Sequence, residues 1–329
     1  RAAGTAVALV GLTIPFVPML WMADFWVASP TPDVPVLVLG IAGAAYWTDF
    51  VLGQPTSKQK SLDPLPILIV LGGLLVALRP TMAPLVVFPG AATLALLVTK
   101  RRTTTPIPVL VALALVALQG ILLAARDRML SGWLQFPLSI YSFDVPWRAS
   151  DPTGLRRATL GYARDPDNWQ EAVSGWSWLG PWISRLPNLW DPWLFLAAVI
   201  AGAALLTLAK LRGTRIRIRA LAVACAPFVL AASVWLAFFP PAFRFGWASF
   251  FGLAAIVAGW GVWMMRWSNV ATGFAGLALG AVALTSLFVR FDTTTLTERG
   301  SWLGVNYRYV SLPSPPVKDV SLNSGLDLL

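Results

Sequence analysis

The chain has 329 residues, of which 57% are hydrophobic and only 12% are charged, with a mean hydropathy of +0.69 and a net charge of +10. A soluble domain has about 25% charged residues and could not bury this much apolar surface, so the composition predicts a multi-pass membrane protein. The absence of histidine and the single cysteine, Cys225, exclude imidazole catalysis, His-based metal sites and a disulfide within the chain. Any catalysis must therefore use carboxylates, basic side chains, aromatic rings or a bound ion.

Apolar segments predict the fold class, which is an all-α polytopic transmembrane protein with about nine spans. In chain order they cover residues 4–23, 34–53, 64–78, 82–99, 106–125, 193–209, 220–239, 247–265 and 268–289. The third and fourth segments are short, and only Arg79-Pro80-Thr81 separates them. We expect a tight helical hairpin here, with one broken helix as the alternative.

The basic residues predict the orientation, because Lys and Arg in short loops stay on the cytoplasmic side. With Arg1 inside, alternate loops hold twelve of the 25 basic residues and two of the 15 acidic residues. The opposite side holds thirteen of each, so the net charge of +10 reflects orientation and argues against a nucleic-acid partner. The N-terminus of this chain is then cytoplasmic and the C-terminal tail extracytoplasmic. Arg215, Arg217 and Arg219 alternate with isoleucines, which a membrane-anchoring loop explains.

This orientation divides the chain into four parts. A first transmembrane bundle covers 1–125, an extracytoplasmic Trp-rich loop with juxtamembrane helices covers 126–192, a second bundle covers 193–289, and the tail covers 290–329. Within the loop, apolar residues between 173 and 186 recur at helical spacing, which predicts an amphipathic segment on the membrane surface. Short basic loops inside and long loops outside place any chemistry on the outer face.

Two carboxylates lie in the first outer connection. Asp33 follows the turn Ser29-Pro-Thr-Pro32 at the start of a predicted span, and Asp24 lies on the other side of that turn. The helix macrodipole by itself favours a carboxylate at a helix N-terminus. The alternative is that Asp24 or Asp33 belongs to an outward-facing active site, as a general base or a metal ligand.

Arginines and tryptophans are the other candidates for a site on the outer side. A planar guanidinium suits a lipid-linked phosphate or pyrophosphate, although a single arginine at the boundary can also snorkel to lipid phosphates. The arginines that lie there are Arg79, Arg126, Arg128 and Arg244. Eight of the 17 tryptophans fall in or beside the long loop. Interfacial anchoring explains most of them, while Trp147 or Trp169 could stack on a sugar.

Several motifs occur in order between the predicted spans. They are Ser29-Pro-Thr-Pro-Asp33, Arg79-Pro-Thr81, Ser131-Gly-Trp-x-x-Phe-Pro137, Asp144-Val-Pro-Trp147, Tyr162-Ala-Arg164 and Pro240-Pro-Ala-Phe-Arg-Phe-Gly246. Together they resemble a family of large bacterial multi-pass membrane proteins of uncharacterised function with GT-C-type glycosyltransferase character. The resemblance covers most of residues 20–250 and implies a GT-C-like fold in a bacterial cell (inner) membrane.

The resemblance also implies an activity, namely glycosyl transfer from a polyprenyl-phosphate sugar at the outer leaflet, often with a divalent metal ion. Because proteins of that family are longer, their first spans and first outer loop, with its acidic residue, would precede Arg1. Asp33 would then fit an acidic position in the second outer loop. Arg79, Arg126 and Arg244 would hold the donor phosphate.

Two other functions stay open at this point. The main alternative is a non-catalytic structural or accessory subunit of a larger membrane complex, with other membrane-protein subunits as partners besides membrane lipids. A transporter is the third candidate. It is disfavoured because the predicted spans contain almost no ionisable groups, with Asp49 as the main exception.

Overall fold

The apolar segments form helices in the computed structural model, which describes residues 3–21, 33–53, 64–98, 106–136, 139–239 and 241–267 and short segments beyond residue 269. The α-helices of the described residues are α1 (Ala3–Trp21), α2 (Asp33–Leu52), α3 (Pro64–Leu78), α4 (Pro84–Val98), α5 (Pro106–Ser131), α6 (Pro152–Arg164), α7 (Leu179–Arg185), α8 (Trp190–Leu211), α9 (Ile218–Phe238) and α10 (Trp247–Met264). Between α5 and α6, strands β1 (Trp133–Gln135) and β2 (Ile140–Ser142) pair antiparallel, with Trp133 opposite Ser142.

The described helices confirm a predominantly helical protein with several segments that are long and apolar enough to cross a membrane. Five stretches are long and apolar enough to cross a membrane, namely Asp33–Leu52, Ile107–Ser131, Asp191–Leu211, Ile218–Phe238 and Phe243–Met264. Helices α3 and α4 have 15 residues each, which is about 22 Å of helix against a hydrocarbon core of about 30 Å. The predicted segment 268–289 falls almost entirely outside the described residues, so the count of nine spans stays a prediction.

Helix α10 lies at the centre of the helical unit, which comprises residues 1–16 and 31–276. It packs against α2, α8 and α9, and small residues set these contacts. A Cβ atom added to Gly40 of α2 would lie 2.7 Å from Cβ of Ala248, and one added to Gly202 of α8 would lie 2.6 Å from the backbone nitrogen of Ala258. Small residues at these points let helices approach closely, as is usual in membranes.

The connection at Arg79 is a tight hairpin, as expected, and the broken-helix alternative is wrong. A 3₁₀ turn, Pro80–Met82, joins α3 to α4, and the two helices then run back along each other. Gly72 of α3 faces α4 so closely that an added Cβ would lie 2.7 Å from Cγ2 of Val86. The proline after Arg79 explains the break, because it disfavours helical geometry at the preceding residue.

The loop after α5 is more structured than its apolar pattern predicts. Helix α6 is polar on average but amphipathic, and it begins where the carboxylate of Asp151 accepts a hydrogen bond of 2.7 Å from the Gly154 N–H. The expected amphipathic segment is interrupted, because Gly175 adopts a positive φ of 67° and the helix begins only at Leu179 as α7. The Trp182 indole N–H donates to the Pro241 carbonyl over 2.7 Å, which ties the loop to the α9–α10 connection.

Residues 17–30 and 277–329 form a second unit. Its described strands are β3 (Ser301–Trp302), β4 (Val305–Asn306), β5 (Val320–Ser321) and β6 (Asp327–Leu328). They pair antiparallel as β3 with β4 and β5 with β6. The rest of the predicted tail, 290–329, lies outside the described residues.

Candidate functional site

A buried carboxylate lies between two arginines where α2 begins. Asp33 is the first residue of α2 and is 2% exposed. Nη2 of Arg79 donates a hydrogen bond to Oδ1 of Asp33, and Nε of Arg244 lies 4.0 Å from Oδ2. The structure therefore brings together three of the predicted site residues, although they come from separate parts of the chain.

Local sequence explains how each of the three is presented. Pro32 precedes Asp33, whose carboxylate suits the positive end of the helix dipole. Arg79 is extended, with φ −145° and ψ 104°, before the 3₁₀ turn. Arg244 lies in a second 3₁₀ turn, Phe243–Gly246, which leads into α10.

The ring of Phe245 completes the cluster and is the residue that the sequence analysis missed. The guanidinium carbon of Arg79 lies 4.1 Å from its ring centroid, and that of Arg244 lies 5.1 Å from it. Cations attract the face of an aromatic ring, so the ring fixes both guanidinium groups beside Asp33. The signal available in the sequence was the aromatic residue directly after Arg244.

In this geometry the Asp33 carboxylate holds Arg79 in place, and its role as a catalytic base stays a prediction. Oδ1 already accepts the hydrogen bond from Arg79, and the side chain is almost completely buried. Within the described residues, Oδ2 of Asp33 and Nε of Arg79 are buried without a hydrogen bond. A general base must come within hydrogen-bonding distance of the proton that it removes, and Asp33 is enclosed beneath Arg79.

A cleft of about 270 Å³ adjoins this cluster through Pro80, the residue after Arg79. One part of its wall is apolar and comprises Ala77, Leu78, Leu123, Leu160, Phe238 and Phe239. The polar part comprises Arg126, Asp127, Gln135, Arg156 and Thr159. Arg156 and Thr159 come from α6, a helix that the apolar pattern did not predict. The cleft thus lies between the ends of the apolar helices and the loop that follows α5.

Arg126 and Asp127 form a close pair at the cleft. Nε and Nη2 of Arg126 donate to Oδ1 of Asp127 over 3.0 and 2.7 Å, and Oδ2 accepts from the Phe136 N–H over 3.2 Å. The Arg126 side chain is still 58% exposed, so its guanidinium can contact a ligand. Arg128 lies elsewhere, with its guanidinium carbon 4.4 Å from the centroid of Phe143. The four predicted arginines therefore do not converge on one point.

Comparison with known families assigns the chain to a family but not to a function. A family model described as a domain of unknown function (DUF8201) matches residues 3–251. The chain belongs to this family. No curated protein and no solved structure matches it. The DUF8201 match includes both the Asp33 cluster and the cleft residues.

Two tryptophans of this DUF8201 chain were predicted to stack on a sugar or acceptor. Trp147 is 59% exposed, so its ring is open to a ligand. Trp169 is partly buried and stacks on Tyr162, with ring centroids 5.1 Å apart and planes 17° apart. Neither lines the cleft, so sugar stacking by either residue stays a prediction.

Asp24 lies outside the described residues, and the divalent metal ion also stays a prediction. Among the residues that the structure describes, no three acidic or cysteine side chains gather where they could hold a metal ion. The two guanidinium groups beside Asp33 oppose a cation at that position. The described residues of the Asp33 cluster therefore do not fit a metal ion.

Another arginine, Arg164, organises the loop between α5 and α8. Its Nη1 donates to the carbonyl oxygens of Ala172 and Val173 over 3.0 and 2.9 Å, and its guanidinium lies over Trp178 at 4.6 Å. Desolvation by burial lowers the pKa of the Arg164 guanidinium from its ordinary value. These contacts hold the end of α6 against the segment before α7, which supports the cleft residues on α6.

Proposed function

We propose that this protein binds a polyprenyl-phosphate sugar at the outer end of its helices and transfers the sugar to a cell-envelope acceptor. The membrane would be the inner membrane of a bacterial cell, with the N-terminus of this chain cytoplasmic and its C-terminal tail extracytoplasmic. The observation that carries the proposal is the cleft in which Arg126 and Arg156 lie beside leucine and phenylalanine side chains. Such a cleft suits a ligand with an anionic head and an apolar chain.

The chemistry divides between the cleft and the Asp33 cluster. In the transfer, an acceptor oxygen bonds to the anomeric carbon while the bond from that carbon to the phosphate oxygen breaks. The phosphate leaves with the electron pair, and Arg126 and Arg156 would neutralise its charge. Asp33 would hold Arg79 at the edge of the cleft, and Asp24 remains the candidate for removing the proton of the acceptor.

A non-catalytic subunit is the second candidate, and two observations favour it. Asp127 is the carboxylate that lines the cleft, and both of its oxygens already accept hydrogen bonds from Arg126 and Phe136. In addition, α5 exposes a broad apolar face that includes Ile107, Leu110 and Ile121. Such a face suits lipid or a partner helix. A subunit of a membrane complex would use the cleft to bind a lipid without transferring a sugar.

Ligand binding tests the cleft directly. The full chain in neutral detergent would be titrated with farnesyl phosphate and, as the ligand control, with farnesol, which lacks the phosphate. Arg126→Gln and Arg156→Gln should each weaken farnesyl phosphate binding about tenfold or more, because a hydrogen bond to a charged group contributes about 1.5–3 kcal/mol. Arg157→Gln is the matched control, since Arg157 is exposed beside Arg156 and does not line the cleft.

Turnover separates the two candidates. The same preparation would be incubated with polyprenyl-phosphate sugars and a cell-envelope fraction as acceptor, and release of polyprenyl phosphate would be measured. Release that Arg126→Gln abolishes supports the transferase, whereas binding without release supports the subunit. Equal binding of farnesyl phosphate and farnesol would refute both assignments of the cleft.

A further inference from the structure

A second cavity lies at the ends of the helices opposite to Asp33. Its volume is about 220 Å³. Leu52 and Gly53 line it at the far end of α2, and Trp263 and Met264 line it at the end of α10. Because Asp33 begins α2 and Leu52 ends it, the whole length of that helix separates this cavity from the Asp33 cluster.

Two arginines without carboxylate partners line this cavity. Arg215 and Arg217 precede α9 on either side of Ile216, which packs against the apolar core and so anchors the segment. Both arginines are exposed, and within the described part of the chain neither forms an ion pair with a carboxylate. Their positive charges therefore remain available at the mouth of the cavity.

A buried tryptophan forms part of the wall of the same cavity. Trp260 lines it and is 0% exposed, yet its Nε1 forms no hydrogen bond to any described residue. Buried donors are nearly always paired in native proteins, because an unpaired one loses its hydration without replacement. An unpaired N–H in the wall of the cavity, together with two arginines that have no carboxylate partner, favours a ligand with anionic oxygen atoms.

We propose that this cavity binds the phosphate group of an anionic phospholipid. Arg215 and Arg217 supply charge-assisted hydrogen bonds to the phosphate oxygens, and Trp260 supplies a neutral one. The tryptophan and leucine walls contact the first carbons of the lipid. The cavity lies where apolar helices end, and basic pockets between membrane helices bind lipid head groups in this way. This site is independent of the cleft and of any transfer reaction.

The first test compares lipids and arginine variants. The full chain, delipidated in neutral detergent, would be titrated by native mass spectrometry with phosphatidylglycerol, with phosphatidylcholine and with inorganic phosphate. Phosphatidylglycerol should bind most tightly. The variant that carries both Arg215→Gln and Arg217→Gln should bind phosphatidylglycerol about tenfold or more weakly. Arg219→Gln removes one charge, as each single substitution does, two residues from Arg217, but Arg219 does not line the cavity and its variant should leave binding unchanged.

The second test removes only the indole donor. Trp260→Phe keeps most of the ring and should weaken phosphatidylglycerol binding several-fold. Trp235→Phe is the control, because it removes another buried unpaired N–H that does not line this cavity, and it should leave the binding unchanged. Equal phosphatidylglycerol affinity in the double arginine variant and the native chain would overturn the proposal. Binding of inorganic phosphate in place of phosphatidylglycerol would overturn the lipid as the source of the phosphate.

Discussion

The ion pair between Asp33 and Arg79 predicts an asymmetric loss of stability when either partner is removed. The two variants are Asp33→Ala and Arg79→Ala, together with the variant that carries both substitutions. The asymmetry follows from burial, because the Asp33 side chain is 1% exposed whereas the Arg79 side chain is 20% exposed. A stranded carboxylate would stay dehydrated, whereas a stranded guanidinium can turn toward water.

The magnitudes follow from this difference. Removing one partner of a fully buried pair costs about 3–5 kcal/mol, and Arg244 at 4.0 Å from Asp33 offsets part of that loss. We therefore expect Arg79→Ala to lower the free energy of unfolding by about 3 kcal/mol and Asp33→Ala by about 2 kcal/mol. The double variant should lose about 3 kcal/mol rather than the sum, because the pair interacts directly.

Equilibrium unfolding in mixed micelles, followed by tryptophan fluorescence, measures these free energies. Asp144→Ala is the control, since Asp144 is exposed and forms no ion pair among the described residues, and it should change stability by less than about 0.5 kcal/mol. Additive losses in the double variant, or a greater loss for Asp33→Ala than for Arg79→Ala, would refute the buried ion pair.

Two further substitutions test the packing of the helices, both by the same unfolding measurement. Gly72→Leu should destabilise the α3–α4 hairpin by about 1–3 kcal/mol, because its Cβ would lie 2.7 Å from Val86. Gly43→Leu is the control and should change stability little, because no atom lies within 4 Å of an added Cβ. Equal effects of the two substitutions would contradict the hairpin contact. Trp247→Phe removes the 2.7 Å hydrogen bond from the indole to the buried Asp191 carboxylate and should cost about 1–3 kcal/mol. A loss below about 0.5 kcal/mol would mean that water already satisfies Asp191.

Helix α6 illustrates a signal that the sequence contains but that a search for long apolar runs misses. Asp151 followed by Pro152 is a typical helix start, because the carboxylate caps the first N–H groups and proline suits the first turn. The helix is polar on average but amphipathic, and the cap and the contacts of Arg164 stabilise its two ends. The cleft residue Arg156 was missed for the same reason.

Local chemistry determined much of the fold from the sequence alone. Long apolar runs bounded by polar residues predict helices because a membrane segment must satisfy its own backbone hydrogen bonds. The start of α2 at Asp33 and the hairpin at Arg79 follow from the prolines beside them. Each of these features depends on only a few neighbouring residues.

Tertiary structure alone decided which charged groups meet. Asp33, Arg79 and Arg244 are distant in sequence, and the packing of α3 and α10 against α2, the latter through Gly40 and Ala248, brings them together. The helices are apolar on most of their faces, so hydrophobic periodicity could not indicate which face meets which neighbour. For the same reason the ring of Phe245, the cleft at Arg126 and the cavity at Trp260 emerged only once the helices were assembled.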